Sequence, residues 1–189
     1  MTEWRKGLLA VALAAAAGPS PADFISWQSI DTDSELQFET RYEEQPLNGR
    51  FNTFSAIVTL DGHDELPVAL KVLVDVASAD MNDRDVNSEL GQPAWFDSVS
   101  FPRAIFESDQ LVRVDNENYI AQGALSLKGV SRDLEVPLTW RRNSATATIT
   151  GSMDLSRLAW NIGSGEWAET DLISDTVKLE YRITLVPAD

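Results

Sequence analysis

The chain has 189 residues, a formal net charge of −15, one histidine and no cysteine. This length suits one domain that is large enough to bury its own core. The negative charge disfavours nucleic acid and anionic membrane surfaces as direct partners. The lack of cysteine excludes disulfides, thiol catalysis and cysteine metal sites. The lone histidine, His63, lies in a predicted solvated turn and lacks the partners of a catalytic triad or a multi-histidine metal site.

Residues 1–22 have the pattern of a secretory signal peptide. A basic start precedes an apolar run at 7–17, and Ser20-Pro21-Ala22 provides small residues before a cleavage point after Ala22. The apolar run is short for a membrane span, and an uncleaved anchor or an amphipathic helix is the alternative. We expect cleavage, which leaves a domain of residues 23–189 in the periplasm or outside the cell. The 30 acidic and 15 basic residues of the chain then become 29 and 13, a formal charge of −16.

Period-two alternation of apolar and polar residues predicts about eight β-strands and no long helix in the rest of the chain. A lead-in at 23–34 supplies Phe24, Ile25 and Trp27 to plug one end of the core. The predicted strands lie at 35–42, 50–60, 68–76, 103–108 with 110–115 (a pair or one interrupted strand), 119–128, 134–142, 145–155 and 177–185. The segment at 43–49 is predicted to be a turn.

The hairpin at 123–140 shows the alternation clearly in both arms. Gly129 lies at its tip, where a positive φ is expected. Pro137 falls inside the second arm and removes a hydrogen-bond donor from the ladder. It therefore predicts a bulge or an unpaired segment at this point.

Two long connections interrupt the strands, at 78–102 and 156–175. The first begins with Asn82 or Asp83 as the expected cap of a short helix that runs to about Leu90. It also contains three aromatic residues that are too apolar to remain in water, Trp95, Phe96 and Phe101. These side chains predict that the connection folds over the sheet as a lid or end plug.

Strands of this kind pack as a sandwich or close as a barrel.

Five short segments of the chain are informative together, because of their order and spacing. They are Gly49-Arg50-Phe51 with Phe54 and Asp61; 82–85 with Trp95-Phe96-Asp97 and Phe101-Pro102; Phe106-Glu107-Ser108; GALSLKGVSRDLEVPL at 123–138; and Arg157 with Gly163 and Trp167. In this order they resemble the YceI family of exported, lipocalin-like, polyisoprenoid-binding proteins. The chain has Arg41 or Tyr42 where the family often has a histidine, so no role of that histidine carries over. Ser131 stands where threonine is common.

The resemblance implies an all-β fold, an eight-stranded antiparallel lipocalin-like barrel with short helical insertions near one end. It also implies an interior that binds an isoprenoid lipid, either a polyprenyl chain or a quinone tail. From the residues alone, a barrel of about eight strands encloses either packed side chains or one small ligand. The sequence leaves both possibilities open.

Strand parity and the resemblance select the residues expected to contact the lipid. They are Phe38, Phe51, Phe54, Val72, Val74, Phe106, Leu125, Trp140, Leu179 and Tyr181 in the walls, with Trp95, Phe96 and Trp160 at a gate or mouth. The candidates for binding a diphosphate head group are Arg84, Arg103 and Arg157, each of which could instead be a surface ion-pair partner. The strongly negative charge makes a neutral quinone head more compatible than a diphosphate.

Other functions have weaker support in the sequence. Asp83, Asp85 and Asn87 match the first liganding positions of a calcium loop, but Ser88 and Ala94 replace the required glycine and glutamate, so no metal site is expected. An enzyme would have to use a carboxylate pair such as Asp83 and Asp85.

We therefore predict a protein that carries or sequesters an isoprenoid lipid, is not an enzyme, has no other cofactor and does not insert stably into membranes. A membrane protein that delivers or receives the lipid is the expected partner. The alternatives are a scaffold or accessory subunit of a membrane redox or stress-response system, or a carboxylate-dependent hydrolase.

Overall fold

The computed structural model of the chain describes residues 24–188. The predicted signal peptide, residues 1–22, lies outside the described residues. Within them the chain forms eleven strands and one α-helix: β1 (Phe24–Ser29), β2 (Glu35–Tyr42), β3 (Gln45–Phe51), β4 (Phe54–Asp61), β5 (Pro67–Asp75), β6 (Ala79–Asp80), α1 (Arg84–Leu90), β7 (Arg103–Arg113), β8 (Asn118–Leu127), β9 (Val130–Arg142), β10 (Ala147–Ser156) and β11 (Thr176–Pro187). Four 3₁₀ turns lie at Asp31–Asp33, Val76–Ser78, Arg157–Trp160 and Gly165–Ala168.

Eight strands form a closed antiparallel barrel in the order β1-β4-β5-β7-β8-β9-β10-β11, and pairing between β1 and β11 completes the circle. The other three strands, β2, β3 and β6, continue β1, β4 and β5 across short interruptions. A 3₁₀ turn separates β1 from β2, a short break separates β3 from β4, and a second 3₁₀ turn separates β5 from β6. The predicted eight-stranded antiparallel barrel is confirmed.

Two details of the strand prediction were wrong. The expected turn at 43–49 is only a two-residue turn, with Glu43 at a positive φ of 52°, and β3 begins directly after it. Pro46 is tolerated in β3 because the edge that faces away from β2 is paired, with β6, only at Arg50 and Phe51. The strand expected at 50–60 is broken between Phe51 and Phe54. The 103–115 region, by contrast, is one strand with a register shift after Glu107, as one of the two alternatives predicted.

One end of the barrel is filled by packed side chains. Trp27 and Trp140 meet edge to face with ring centroids 6.3 Å apart. Val58, Leu60 and Leu185 beside them are 0% exposed. Trp27 thus plugs one end of the core, as its position in the lead-in predicted, whereas Phe24 and Ile25 of the same lead-in are exposed. This closed end leaves the opposite end as the place where the barrel can hold a ligand.

The opposite end is covered by a cap, defined here as residues 81–102 and 157–175. Asp83 begins α1 by accepting hydrogen bonds from the main-chain N–H groups of Asp85 (2.9 Å) and Val86 (3.1 Å), as the sequence predicted. The two parts of the cap are joined where the main-chain N–H of Ser164 donates to the Ala94 carbonyl at 2.9 Å. Among the described helices, none combines the length and the apolar composition needed to cross a bilayer.

Pro137 marks a discontinuity in the barrel wall. It pairs with Ile120 in register on the β8 side, whereas pairing between β9 and β10 stops at Thr139 and Thr150. The predicted unpaired segment is therefore present, and we call it the seam (residues 130–138 of β9 facing 151–156 of β10). The Tyr181 hydroxyl crosses β10 to donate a hydrogen bond to the Pro137 carbonyl.

Replacing Tyr181 with phenylalanine is expected to lower the free energy of unfolding by about 1 kcal/mol, because the Pro137 carbonyl loses its donor. Burial raises the pKa of the Tyr181 hydroxyl, so this donor stays protonated at neutral pH. Urea denaturation of the Tyr181→Phe variant measures the change, with Tyr42→Phe, at an exposed tyrosine, as the matched control. Equal stability of both variants would show that the hydroxyl does not fasten the seam.

Candidate functional site

An apolar cavity of about 360 Å³ lies between the barrel interior and the cap. It continues into an inner chamber of about 110 Å³ that ends against the packed closed end. Six residues line both volumes and mark the passage between them: Leu36, Val74, Ala104, Leu125, Leu155 and Leu179. The cavity has the size and composition of a small-molecule site, and packed side chains fill the end of the barrel beyond the inner chamber.

Two groups of residues supply most of the lining of the main cavity. The first consists of strand residues that point into the barrel, and the second consists of cap residues, several of them aromatic. Phe38, Phe51 and Phe96 form a contact chain that joins the wall to the cap, with ring centroids 5.2 Å and 5.9 Å apart. Trp95 packs against Trp167 at 5.8 Å. The indole N–H of Trp95 is buried and has no hydrogen-bond partner in the described part of the chain.

Most of the predicted contact residues are gathered around these two volumes. The main cavity is lined by Phe38, Phe51, Val74, Trp95, Phe96, Leu125, Trp160 and Leu179, and the inner chamber adds Val72, Phe106 and Tyr181. Phe54 and Trp140 line neither volume. Phe54 packs on the core cluster, although it lies opposite Val74, which lines both volumes. Trp140 lies within the core cluster, because strand parity identifies the inward face but not the height of a residue along the barrel.

Arg157 has a structural role that its sequence position did not reveal. It is 4% exposed, and its guanidinium donates five hydrogen bonds to main-chain carbonyls of the cap at 2.8–3.0 Å: those of Ile162, Gly163, Trp167, Ile173 and Ser174. These account for all five N–H groups of an arginine. Burial lowers the pKa of Arg157 from its ordinary value, partly offset by Asp175.

Gly163 is required beside this guanidinium. It has a positive φ of 69°, and a Cβ at this position would lie 2.2 Å from Nη1 of Arg157. The signal that could have identified the cluster is therefore an arginine followed by a glycine-rich segment, in which backbone carbonyls can turn toward one cation.

The other two predicted head-group arginines do not line the cavity. Arg103 begins β7 next to Ala104, which faces the interior, so strand alternation turns Arg103 outward. Arg84 precedes the lining residue Val86 by two positions, about 200° around the helix. The three arginines are therefore not brought together at one site.

Exposed lining residues on β2 and α1 mark where solvent approaches the cavity. The lining residues that are also exposed are Tyr42 (41%), Val86 (39%) and Glu89, and we call this group the mouth.

Asp80 holds α1 in place near the mouth. Its carboxylate accepts hydrogen bonds from the Asn87 side chain at 3.0 Å and from Arg50 at 3.1 Å. Hydrogen bonds, first that of Asn87, lower the pKa of Asp80 to about 2, so the carboxylate remains ionised and keeps its partners in mildly acidic solution.

Comparison with known proteins places the chain in a family. A YceI-like domain matches residues 27–185. The chain belongs to the YceI-like family. A UPF0312 protein of Vibrio parahaemolyticus is 27% identical over 132 residues, which cover 68% of each chain. A UPF0312 protein of Shewanella putrefaciens is 24% identical over 186 residues, which cover 90% of this chain and 95% of that one.

Solved structures share the fold of this YceI-like chain. The crystal structure of Burkholderia cenocepacia BcnA superposes with a TM-score of 0.78 at 29% identity and covers 82% of this chain and 98% of that one. A polyisoprenoid binding domain from Saccharophagus degradans, implicated in plant cell wall breakdown, superposes with a TM-score of 0.71 at 14% identity and covers 87% and 99%. The second likeness shows the shared fold.

The YceI-like barrel gives the acidic residues at 83–87 a structural role. Asp83 caps α1 with its carboxylate, and the side chain of Asn87 bonds Asp80 and the main-chain N–H of Met81. Within residues 24–188, no group of three or more histidine or acidic side chains is arranged to hold a metal ion. Glu89 is the one carboxylate among the described cavity-lining residues. The cavity therefore offers apolar surface rather than a pair of acids.

Proposed function

We propose that this YceI-like protein is an exported carrier or sequestering protein that binds an isoprenoid lipid in the apolar cavity. The observation that carries the proposal is the apolar cavity of about 360 Å³, whose 26 lining residues within the described part of the chain include only two charged side chains, Glu89 and Arg157. Family membership supports it, as does the fold shared with a polyisoprenoid binding domain. A membrane protein that delivers or accepts the lipid is the partner expected for such a carrier.

The geometry sets the direction in which a lipid would enter. Because the far end is filled around Trp27 and Trp140, the apolar tail passes the mouth first and reaches the inner chamber. Each five-carbon unit buried there contributes roughly 4 kcal/mol gross, at about 0.8 kcal/mol for each buried carbon group. Ordering of the tail offsets part of this gain, so binding strength depends on how many units enter.

Native mass spectrometry of the purified protein, with organic extraction of any bound material, tests the proposal directly. The expected result is a bound lipid, or uptake of one equivalent of a polyprenyl alcohol or quinone. Trp95, Trp160 and Trp167 line the cavity and should report uptake by a change in fluorescence. Recovery of no lipid together with no uptake of either ligand would refute the proposal.

Export is tested separately from binding. The mass of the protein isolated from its native host shows whether the chain begins after Ala22. A mature chain that retains residues 1–22 would contradict the predicted cleavage and leave the lipid-binding proposal unchanged.

A further inference from the structure

We propose that a groove on the outside of the barrel wall binds a short cationic segment of a partner protein. This outer groove has a volume of about 860 Å³ and crosses β4, β5, β7, β8 and β9. Its floor is formed by Ile57, Ala69 and Ala124, and its rim carries Asp109, Asp133 and Glu135. No described residue lines both the outer groove and the main cavity beneath the cap, so this inference does not depend on what the cavity holds.

A bulge in β7 shapes the outer groove. The register between β7 and β8 shifts between Glu107 and Gln110, and a bulge of this kind bends its strand locally. Ser108 is 6% exposed and fixes the bulge, because its hydroxyl donates to the Gln122 carbonyl at 2.8 Å and accepts from the main-chain N–H of Gln110 at 3.3 Å. Gly123 lets β7 and β8 approach closely, since a Cβ there would lie 2.2 Å from the Glu107 carbonyl. A partner would therefore meet a preformed surface, which lowers the ordering cost of binding.

The floor of the outer groove is apolar and open to solvent. Ile57 is 45% exposed there. Ala69 and Ala124 face outward because their neighbours Leu70 and Leu125 line the inner chamber. The small side chains at these two positions leave a depression between the longer side chains of the rim. The floor thus offers apolar surface to the side chains of a partner.

The rim of the outer groove is negatively charged. The charged side chains that line the groove are four carboxylates and one ammonium group, which gives a local formal charge of −3. The ammonium group is already paired, since Nζ of Lys71 lies 2.6 Å from the Glu107 carboxylate. Among the ion pairs within residues 24–188, none involves Asp109, Asp133 or Glu135. These three carboxylates are therefore available to a cationic partner.

A cationic segment matches both the floor and the rim. Lysine and arginine can lay their apolar stems on the floor and place their charged ends at the rim. An acidic partner would meet like charge, and so would a second copy of this chain, whose mature form carries a formal charge of −16. Neighbouring strands lie about 4.8 Å apart, so the five strands span roughly 19 Å, the length of about six extended residues. The expected occupant is therefore a short segment rather than a whole folded surface.

The experiment titrates the full mature protein with a fluorescein-labelled heptapeptide of alternating lysine and valine, followed by fluorescence anisotropy. We expect saturable binding of one peptide at about 0.01 M ionic strength, and at least fivefold weaker binding at about 0.15 M, where charges are screened over about 8 Å. The same peptide with glutamate in place of lysine should not bind. Combining Asp133→Asn with Glu135→Gln should weaken binding of the lysine peptide by roughly fivefold, because each exposed ion pair contributes modestly.

Two further variants separate the outer groove from net charge and from the cavity. Combining Glu39→Gln with Asp154→Asn removes the same charge from exposed positions on β2 and β10, and it should leave peptide binding unchanged. Ala69→Phe fills the floor and should weaken peptide binding at least tenfold, while farnesol, a short isoprenoid alcohol, still enters the cavity. Urea denaturation shows whether each variant is folded.

Equal weakening in the two double variants would show that binding follows net charge alone, which would overturn the proposal. Parental peptide affinity in a folded Ala69→Phe variant would also overturn it, as would no binding of the lysine peptide or equal binding of the glutamate peptide. A dimer of the mature protein that Ala69→Phe converts to a monomer would assign the outer groove to a second copy instead.

Discussion

Replacing Arg157 with methionine is expected to lower the free energy of unfolding by about 3–5 kcal/mol, because several buried carbonyls lose their donor and each unsatisfied group costs about 1–3 kcal/mol before relaxation. Methionine fills a similar volume but leaves five cap carbonyls without their donor. For a domain of this size the midpoint of thermal unfolding should fall by roughly 10 °C. Urea and thermal denaturation of the purified variant measure both quantities.

The matched control is Arg103→Met, which removes an exposed arginine at the start of β7. Its stability should stay within about 0.5 kcal/mol of the parent. Arg157→Lys should fall between the two, because an ammonium group can donate to three carbonyls at most. An Arg157→Met variant as stable as the Arg103→Met variant would contradict the assignment of Arg157 as the organiser of the cap.

Replacing Ala104 with phenylalanine is expected to weaken isoprenoid binding by more than tenfold with little loss of stability. Ala104 is buried and lines both the main cavity and the inner chamber, so a phenyl ring there closes the passage between them. The ring enters existing empty space, which avoids much of the strain of overpacking a filled core. Titration with farnesol, followed by tryptophan fluorescence, measures the affinity, and urea denaturation measures the stability.

Ala69→Phe provides the same substitution on the outer face of the neighbouring strand β5, where Leu70 and Val72 face inward. This variant should bind the ligand with the affinity of the parent. If Ala104→Phe also binds with parental affinity while remaining folded, the ligand occupies a different place from the cavity described above.

The strand pattern predicted the inner wall well because alternation is a local property of each strand. Phe38, Val74 and Leu179 come from separate strands, yet each was assigned to the inward face from its own neighbours alone, and all three line the cavity. Trp140 was placed in the same wall although it belongs to the packed end. Its height depends on how the strands are staggered around the barrel, which is set by long-range pairing.

The break between β3 and β4 shows a second limit of sequence patterns. Phe51 and Phe54 differ by an odd number of positions, so an unbroken strand would point them to opposite faces. The interruption at 52–53 lets Phe51 line the cavity while Phe54 packs on the core. A short irregularity of this kind leaves little trace in the alternation on either side of it.

Arg157 shows the third limit. Its five acceptors are main-chain carbonyls spread between Ile162 and Ser174. Every residue type has such a carbonyl, so the alternation of side chains that predicted the strands does not mark these acceptors. What brings them together is the path of the cap, including the left-handed conformation at Gly163. From the sequence alone, Arg157 was predicted to bind the head group or to be a surface ion-pair partner. The structure shows that its side chain is buried and bonded to main-chain carbonyls of the cap.

The seam has a consequence for how the barrel moves. Along residues 130–138 of β9 and 151–156 of β10 no ladder pairing joins the two strands, and the Tyr181 hydroxyl of β11 reaches across β10 to the Pro137 carbonyl instead. The two strands can therefore separate there without breaking a ladder hydrogen bond. Amide hydrogens along 130–138 that point toward β10 should consequently exchange with deuterium sooner than those of β8 in the same hairpin. We therefore expect the wall next to the inner chamber to widen more easily than the parts of the barrel that are held by continuous ladders.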